Sequence, residues 1–311
     1  LNRSPARRLA QGYDVTDRTA TLVKATEPLP EDEGRWPALD AARLDGALAS
    51  GLGLWREVRV VAETGSTNAD LLAEARSGAR EGLVLVAEAQ TAGRGRMGRR
   101  WVSPPRRALT FSVLLRPGGV SAALLGWLPL LSGVAVAAAL REVAGVDARL
   151  KWPNDVLAGD AKLAGILAER WGEAVVIGIG INVYQRRDDL AVPTATSVLL
   201  AAQAAPADGP DLRERLLTAV LRELAGWYRA WLDQPHPGAA DGCGLREEYL
   251  RRSGTVGAAV TVTLPGGQAL TGTAVGVDSA GRLELRTDGG LVRVSAGDVV
   301  HLRAADAPAA Q

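Results

Sequence analysis

The chain has 311 residues, 47% of them apolar and 23% charged, with a formal net charge of +1 at pH 7. That length and apolar content suit one large folded unit plus a small one. Near-zero charge gives no whole-molecule pull toward nucleic acid or membrane, so any electrostatic chemistry must be local. A single cysteine, Cys243, excludes an internal disulfide and a cysteine-rich metal site. Two distant histidines, His236 and His301, argue against a histidine metal cluster or a Ser–His–Asp triad. The thiol usage is compatible with a reducing cytoplasm.

In chain order, residues 1–37 carry scattered charges and no apolar periodicity, which predicts a disordered extension; no apolar run follows the early arginines, unlike a secretory signal. Leu39 to Leu48 has helical spacing. Val58 to Ala62 predicts a strand, and Ser66-Thr67-Asn68 before Leu71-Leu72 predicts a capped helix ending near Gly78. Val84 to Ala89 and Leu109 to Leu115 are further strands. Val120 to Leu140 lacks any charge and is long enough for a membrane span. Its alanines, glycines and Pro129 favour a buried helix that opens at Pro129 and runs to about Val143. Leu150 to Trp152, Leu163 to Glu169 and Ala174 to Val183 predict strands, the last with Gly178 and Gly180 inside it. Asp211 to Leu232 predicts a long amphipathic helix. Gln234 to Gly244 is rich in proline and glycine and reads as a boundary between domains at 38–240 and 245–304. Beyond it, five short β runs (Val260–Leu264, Leu270–Val277, Leu283–Arg286, Leu291–Val294, Val299–Leu302) alternate with Gly-rich turns, predicting a small barrel-like β domain.

The most unusual stretch is Gly93-Arg94-Gly95-Arg96-Met97-Gly98-Arg99-Arg100-Trp101. Glycines let a backbone turn its N–H groups inward, and guanidinium forks match carboxylate and phosphate geometry. The stretch therefore predicts a loop over an anion with an aromatic face at its exit. Gly93-x-Gly95-x-x-Gly98 has the spacing of a dinucleotide fingerprint, but Pro104 and Pro105 block the helix that fingerprint must open, and the required acidic residue is missing downstream. No His-Arg-Asp or Asp-Phe-Gly follows to make it a kinase loop.

Other segments are also unlike surface filler. Gln90 ends a strand just before the arginine loop. Lys151-Trp152-Pro153-Asn154-Asp155 ends a strand at a proline and projects an amide and a carboxylate. Lys162-Leu163-Ala164-Gly165-Ile166 opens an apolar strand with a lysine, and Gly178-Ile179-Gly180-Ile181-Asn182 ends another with an amide; glycine within a strand marks close backbone approach. Arginine fills nearly every basic position, and Lys24, Lys151 and Lys162 are the only lysines, which hints that a compact ammonium is needed at these places.

Taken together and in this order, these segments resemble a biotin–protein ligase. The resemblance implies an α+β catalytic domain of the class II aminoacyl-tRNA-synthetase-like, biotin/lipoate-ligase type, a mixed sheet with packed helices, followed by an SH3-like β-barrel. It implies that biotin's carboxylate attacks the α-phosphate of ATP to give biotinyl-5′-AMP and pyrophosphate, and that a lysine of a biotin carboxyl carrier domain then takes the biotin. Ser66, Thr67, Asn68, Gln90, Arg94 and Gly95 would hold the ureido end, with Gly165, Ile166 and Gly178 along the ring and tail. Arg96 and Lys162 would bracket the carboxylate and α-phosphate. Arg99, Trp101, Lys151, Asn154 and Asn182 would bind ATP, the tryptophan by stacking on adenine, and Asp155 would orient or deprotonate the acceptor amine. A carboxylate and a phosphate repel by ~1 kcal/mol per charge pair at 4 Å in water and ~4 at an effective dielectric of 20, which such cations offset. Mg²⁺ would accompany ATP, without assigned protein ligands.

Three alternatives remain at this level: a lipoate–protein ligase, a single-stranded nucleic-acid binder using Trp101 as a platform, and a non-catalytic biotin sink that never releases pyrophosphate. The charged loop and the Lys-Trp-Pro-Asn-Asp segment favour biotin, and basic charge confined to one loop disfavours nucleic acid. About 20 plausible structured residues precede Val58, too few for the winged helix-turn-helix that some members carry, so neither DNA binding nor a repressor role is expected.

Overall fold

A computed structural model describes residues 36–49, 53–202, 211–236 and 238–302. Residues 1–35 of the expected disordered extension lie outside the described residues. Its last two residues do not fit that expectation: Trp36 is buried and stacks on Tyr184 at 3.8 Å, and the Pro37 carbonyl accepts from Arg213 at 2.6 Å.

Seven strands form the large sheet: β1 (Glu57–Val61), β2 (Leu83–Ala87), β3 (Ala108–Leu115), β4 (Ala148–Lys151), β5 (Asp155–Ala158), β6 (Ala161–Trp171) and β7 (Ala174–Asn182). Their order is β1-β2-β3-β7-β6-β5-β4. Only β1 and β2 are parallel, and they are joined by the crossover helix α2 (Thr67–Arg76); α1 (Ala41–Ala49) precedes them, capped by Asp40. Every other neighbouring pair is antiparallel.

Strand alternation divides the residues between two faces. In β7, Val175, Ile177, Ile179 and Ile181 enter the main core with Leu109 and Phe111 of β3. That core is covered by α3 (Trp127–Ala144) and α5 (Leu212–Leu232), which pack on each other. Val176 points the other way, into a smaller core with Leu71 and Leu72 of α2. The same face continues past the start of α2 as Gly178, Gly180 and Asn182. Each fully buried isoleucine contributes roughly 1.5–3 kcal/mol, so this register is strongly specified, and a slip of one residue would exchange the isoleucines for the glycines.

From Trp127 to Leu140 the charge-free stretch is the buried part of α3, and its first residues precede that helix. The helix starts two residues before the expected Pro129, after Gly126; the proline sits in the first turn, where its missing N–H has no intrahelical partner. It ends at Gly145, at φ 66°, whose N–H returns to Arg141 O. By length and composition Ala122–Ala144 is the one candidate membrane span among the described residues, and most of it is packed inside the protein.

Three elements were not foreseen, a short helix at Val198–Ala201 among them. The Lys151–Asp155 segment is not a terminus: it turns through residues 152–154 and returns as β5, so Asp155 opens a strand antiparallel to β4. Helix α6 (Leu245–Arg252) follows the Pro/Gly-rich segment and packs on α3 and β4, after the short α4 (Val198–Ala201) and the long α5 earlier in the chain. The five later β runs form β8 (Ala259–Thr263), β9 (Ala269–Val277), β10 (Leu283–Thr287), β11 (Gly290–Val294) and β12 (Asp298–His301), an antiparallel sheet ordered β11-β10-β9-β8-β12. Two tryptophans fasten it to the larger unit. Trp127 Nε1 donates to Ser279 O at 2.8 Å, and Trp152 Nε1 to Gly281 O at 3.1 Å. Gly126 and Gly281 permit this approach: a Cβ on Gly126 would stand 2.7 Å from Ala280 O.

Candidate active site

A cavity of about 690 Å³ lies on the α2 face of the sheet, roofed by the arginine loop and bordered by β12. Every residue expected at the site lines it: Ser66, Thr67, Asn68, Gln90, Arg94, Gly95, Arg96, Arg99, Trp101, Lys151, Asn154, Asp155, Lys162, Gly165, Ile166, Gly178 and Asn182. Two of the chain's three lysines are thus on its wall.

Its inner end is a polar network at the start of α2. Ser66 is the N-cap, its Oγ 3.5 Å from Ala69 N. Gln90 Oε1 accepts from Thr67 N at 2.9 Å and from Thr67 Oγ1 at 3.1 Å. Thr67 Oγ1 is 2.6 Å from Ser112 Oγ, which donates to Asn68 Oδ1 at 2.6 Å. Asn68 Nδ2 donates in turn to Glu169 Oε2 at 2.8 Å, and the other oxygen of Glu169 pairs with Arg94 at 3.0 Å. The network therefore runs from the sheet floor to the roof loop. Ser112 and Glu169 were not anticipated. A lone serine in the apolar run of β3 is the only trace Ser112 leaves in the sequence, and Glu169 leaves none.

Glycines shape the floor. A Cβ on Gly178 would collide with the Asn68 side-chain oxygen. Gly165 and Gly180 are partners across β6 and β7, and the Trp101 indole rests on them. A Cβ on Gly180 would lie 2.5 Å from Trp101 Cε2, and one on Gly165 3.4 Å from Trp101 Cζ3. The glycines inside the strands thus make a seat for a ring.

The charges gather beside this seat: a Cβ on Gly165 would also lie 3.3 Å from Lys162 Nζ. Lys162 Nζ is 2.6 Å from Asp155 Oδ1 across the β5–β6 pair. Arg96 Nη1 donates to Asn154 Oδ1 at 3.1 Å and to Gly297 O at 3.3 Å, while Asn154 Nδ2 donates to Ile166 O at 2.9 Å. Burial holds Arg96 below the usual guanidinium pKa, opposed by the charges of Asp298 and Asp155; it remains a cation. Arg99 pairs with Asp298 at 2.8 Å, a contact with the small β unit that the sequence did not signal.

The loop is no dinucleotide turn. After a three-residue turn at Arg96–Gly98, with Met97 at φ 55° and Gly98 at φ 74°, it becomes extended rather than helical. Gly95 N donates to Arg99 O at 2.7 Å and Trp101 N to Gly93 O at 3.0 Å, making a narrow hairpin. Gly93 and Gly95 do not need positive φ. A Cβ on Gly93 would run into the Trp101 carbonyl, so close approach is what requires glycine there.

At the outer end both amides are engaged. Asn182 Nδ2 donates to Thr196 O at 2.9 Å, and Asn182 Oδ1 accepts from Gln185 Nε2 at 3.1 Å. Gln185, missed by sequence reading, also lines the cavity. Among the described residues no group of three His, Cys, Asp or Glu side chains could hold a metal ion.

Fold and cavity define a class: an α+β protein with a cleft that is polar at its inner end and lined beyond it by cations and an indole. Such a cleft suits a small acid and a nucleotide held end to end. The model of the Biotin/lipoate A/B protein ligase family matches residues 61–183, and that of the Biotin protein ligase C terminal domain matches residues 255–302. The biotin–[acetyl-CoA-carboxylase] ligase of Mycobacterium tuberculosis is 47% identical over 272 residues, covering 86% of this chain and 97% of its own. The bifunctional ligase/repressor BirA of Escherichia coli is 33% identical over 276 residues, 86% of this chain and 79% of its own. The structure of the Aquifex aeolicus biotin protein ligase in complex with biotin and ATP superposes with a TM-score of 0.66 at 27% identity, over 80% of this chain and 100% of that one. The chain belongs to the biotin–protein ligase family.

Proposed function

We infer that this chain is an ATP-dependent biotin–protein ligase. A biotin carboxylate oxygen attacks the α-phosphorus of ATP, the α–β anhydride bond breaks, and pyrophosphate leaves. The amine of an acceptor lysine then attacks the acyl carbon, AMP leaves, and the amine gives up its proton. The observation that supports this reading is that Lys162 and Arg96 line one cavity with the polar pocket around Thr67 and the indole of Trp101, Lys162 Nζ and the indole both meeting Gly165.

Each group has a role in this reading. Ser66, Thr67, Gln90 and the Arg94 backbone hold the ureido ring, with Gly165, Ile166 and Gly178 along the ring and tail. Lys162 and Arg96 offset repulsion between carboxylate and phosphate in a partly desolvated site. Trp101 offers its free face to adenine. Asn154 and Asn182 each make one hydrogen bond at each amide end within the protein; each amide keeps a second N–H and a second lone pair, and we assign both to the adenine end. Asp155 holds Lys162 until the phosphate attracts that ammonium, and is then free to take a proton from the acceptor amine, which is largely protonated near pH 7.

ATP enters as its Mg²⁺ complex. Mg²⁺ is commonly held by one or two carboxylates together with substrate phosphates, and the Asp155 and Asp160 carboxylates border the cavity. The acceptor is a biotin carboxyl carrier domain, as the name of the Mycobacterium tuberculosis relative suggests. Dependence on ATP supports a cytoplasmic location.

The test is purified chain with biotin, Mg²⁺-ATP and a carrier domain, scored for pyrophosphate and carrier biotinylation. Activity with lipoate but not biotin would overturn the substrate, and biotin binding without pyrophosphate would reduce the protein to a sink.

A further inference from the structure

Strand register brings one acid to the inner end of the cavity. In β6, Gly165, Leu167 and Glu169 share a face and pair across the ladder with Gly180, Gly178 and Val176 of β7. Val176 packs under α2, so Glu169 stands beside the first turn of that helix, within reach of Asn68, which is 3% exposed. Asn68 is pressed onto the same floor: a Cβ on Gly178 would lie 2.2 Å from its Oδ1.

The contacts there fix the direction of each hydrogen. Arg94 can only donate and the Glu169 carboxylate can only accept, and they meet at 3.0 Å. Asn68 Nδ2 directs its N–H groups to Glu169 Oε2 at 2.8 Å and to Leu167 O at 3.2 Å. Its Oδ1 therefore faces Ser112, whose Oγ donates to it at 2.6 Å. With the Ser112 hydrogen committed there, the proton in the 2.6 Å contact between Thr67 Oγ1 and Ser112 Oγ belongs to Thr67, shared with Gln90 Oε1 at 3.1 Å. Donors thus run from Thr67 through Ser112 and Asn68 to Glu169, and Arg94 donates to the same carboxylate from the roof. Thr67 Oγ1 is left as an acceptor on the cavity wall.

We propose that Glu169 is a positioning residue for biotin, a single carboxylate that orients the Asn68 amide and ties it to Arg94, so that the inner pocket and the roof loop bind the substrate as one unit. This rests on the reading of the chain as a biotin–protein ligase and adds a residue that acts through Asn68 and Arg94 rather than on biotin itself. A ureido N–H donating to Thr67 Oγ1 polarises each bond of the chain in turn, and the chain ends on a charge that also holds the roof. The pair of Arg94 and Glu169 by itself would count for little, since the side chains are 41% and 25% exposed. The Asn68 arm is what gives the carboxylate its purchase on the pocket. Glutamine at this position keeps one carbonyl oxygen and gains an NH₂ group, so either Asn68 Nδ2 or Arg94 would face another donor.

The experiment is a double-mutant cycle on the full chain, with Glu169→Gln and Arg94→Met singly and together. Biotin affinity is read by titration calorimetry, and the KM for biotin and kcat by Mg²⁺-ATP-dependent pyrophosphate release. Glu169→Gln should raise the Kd and KM for biotin by about ten- to a hundredfold, a larger change than any in kcat or in the KM for ATP. Arg94→Met should raise them as well, and the double variant should lose clearly less than the product of the two single effects. Single effects that multiply would overturn the proposal, because Glu169 would then act without Arg94. A Glu169→Gln enzyme that loses kcat while keeping its biotin Kd would also overturn it. Arg94→Met changes a partly exposed side chain of the roof and provides a test that does not depend on the folding of the Glu169 variant: an unchanged biotin Kd there removes the coupling. A wild-type chain that binds no biotin is a different outcome, since it removes the ligase reading itself and the positioning role with it.

Discussion

Lys162 Nζ lies 2.6 Å from Asp155 Oδ1, the two side chains reaching each other from neighbouring strands across a β-bulge at Val156/Leu157. The ammonium is thus carried on a rigid sheet and held in the cavity by a single carboxylate. Lys162→Ala should lower kcat/KM for biotin-dependent pyrophosphate release by about a hundred- to a thousandfold, the usual cost of removing one preorganised electrostatic group. Lys162→Arg should not restore it, since a planar fork differs in shape and reach from a point charge. Asp155→Asn should spare pyrophosphate release more than transfer to the carrier, which single-turnover assays of the two half-reactions separate.

Arg96 is the roof loop's link to both the β4–β5 turn and the small β unit, through Asn154 Oδ1 and Gly297 O. Arg96→Gly should loosen the roof over the adenylate, so that biotinyl-AMP escapes and labels lysines on an unrelated protein added to the assay. Labelling confined to the carrier domain would remove Arg96 from that role. Arg99→Ala should act more weakly, since its pair with Asp298 is about half exposed on both sides and such surface pairs contribute roughly 0–1 kcal/mol.

A further prediction concerns stability rather than chemistry. Arg213 and Glu88 form a buried ion pair behind the site; Arg213 also donates to Pro37 O at 2.6 Å, and Glu88 accepts from Leu39 N at 2.6 Å. Removing one partner leaves the other charge buried and unpaired. Arg213→Met should therefore cost about 3–5 kcal/mol of unfolding free energy, read by urea denaturation.

The pH dependence has a definite sign. Burial holds His301 below the ordinary imidazole value of 6.5, reinforced by the Lys151 charge and opposed by Asp160. The unfolded chain then takes up the proton at a higher pH than the folded one. This contribution to stability is fully present above pH 6.5 and is lost as pH falls through the folded pKa. His301 Nε2 is 3.1 Å from Thr255 Oγ1, which itself accepts from Trp152 N at 3.1 Å, so the loss falls where the two units join. His301→Asn should flatten the fall in Tm between about pH 7 and 5, measured calorimetrically in matched buffers.

Strands and helices with strong periodicity were legible beforehand. β7 declared itself through Val175 to Ile181, and the five short strands of the small unit fell where their turns allowed. Asp155 to Ala158 was hidden because Pro153 looked like a terminus, although a proline is equally at home in the turn of a hairpin. Helix α6 was hidden because its charged sequence carries little apolar periodicity. The residues of distinctive type that the sequence singled out line one cavity, whereas Glu169, Gln185 and Asp298 went unnoticed, since an acid or an amide in a polar segment looks like surface until a partner faces it.

The arginine loop shows where the two kinds of information divide. The sequence by itself determined that four guanidiniums and an indole stand within nine residues, that proline ends any helix after them, and that lysine is kept at only three positions. These are properties of local covalent geometry and side-chain chemistry. Tertiary structure alone decided that Trp101 rests on the paired glycines of β6 and β7, that Arg94 closes on Glu169, and that Arg96 and Arg99 reach Gly297 and Asp298 some 200 residues away. The physical reason is that those contacts depend on strand register and on the docking of the small β unit against α3, both set by burial of side chains far apart in the chain.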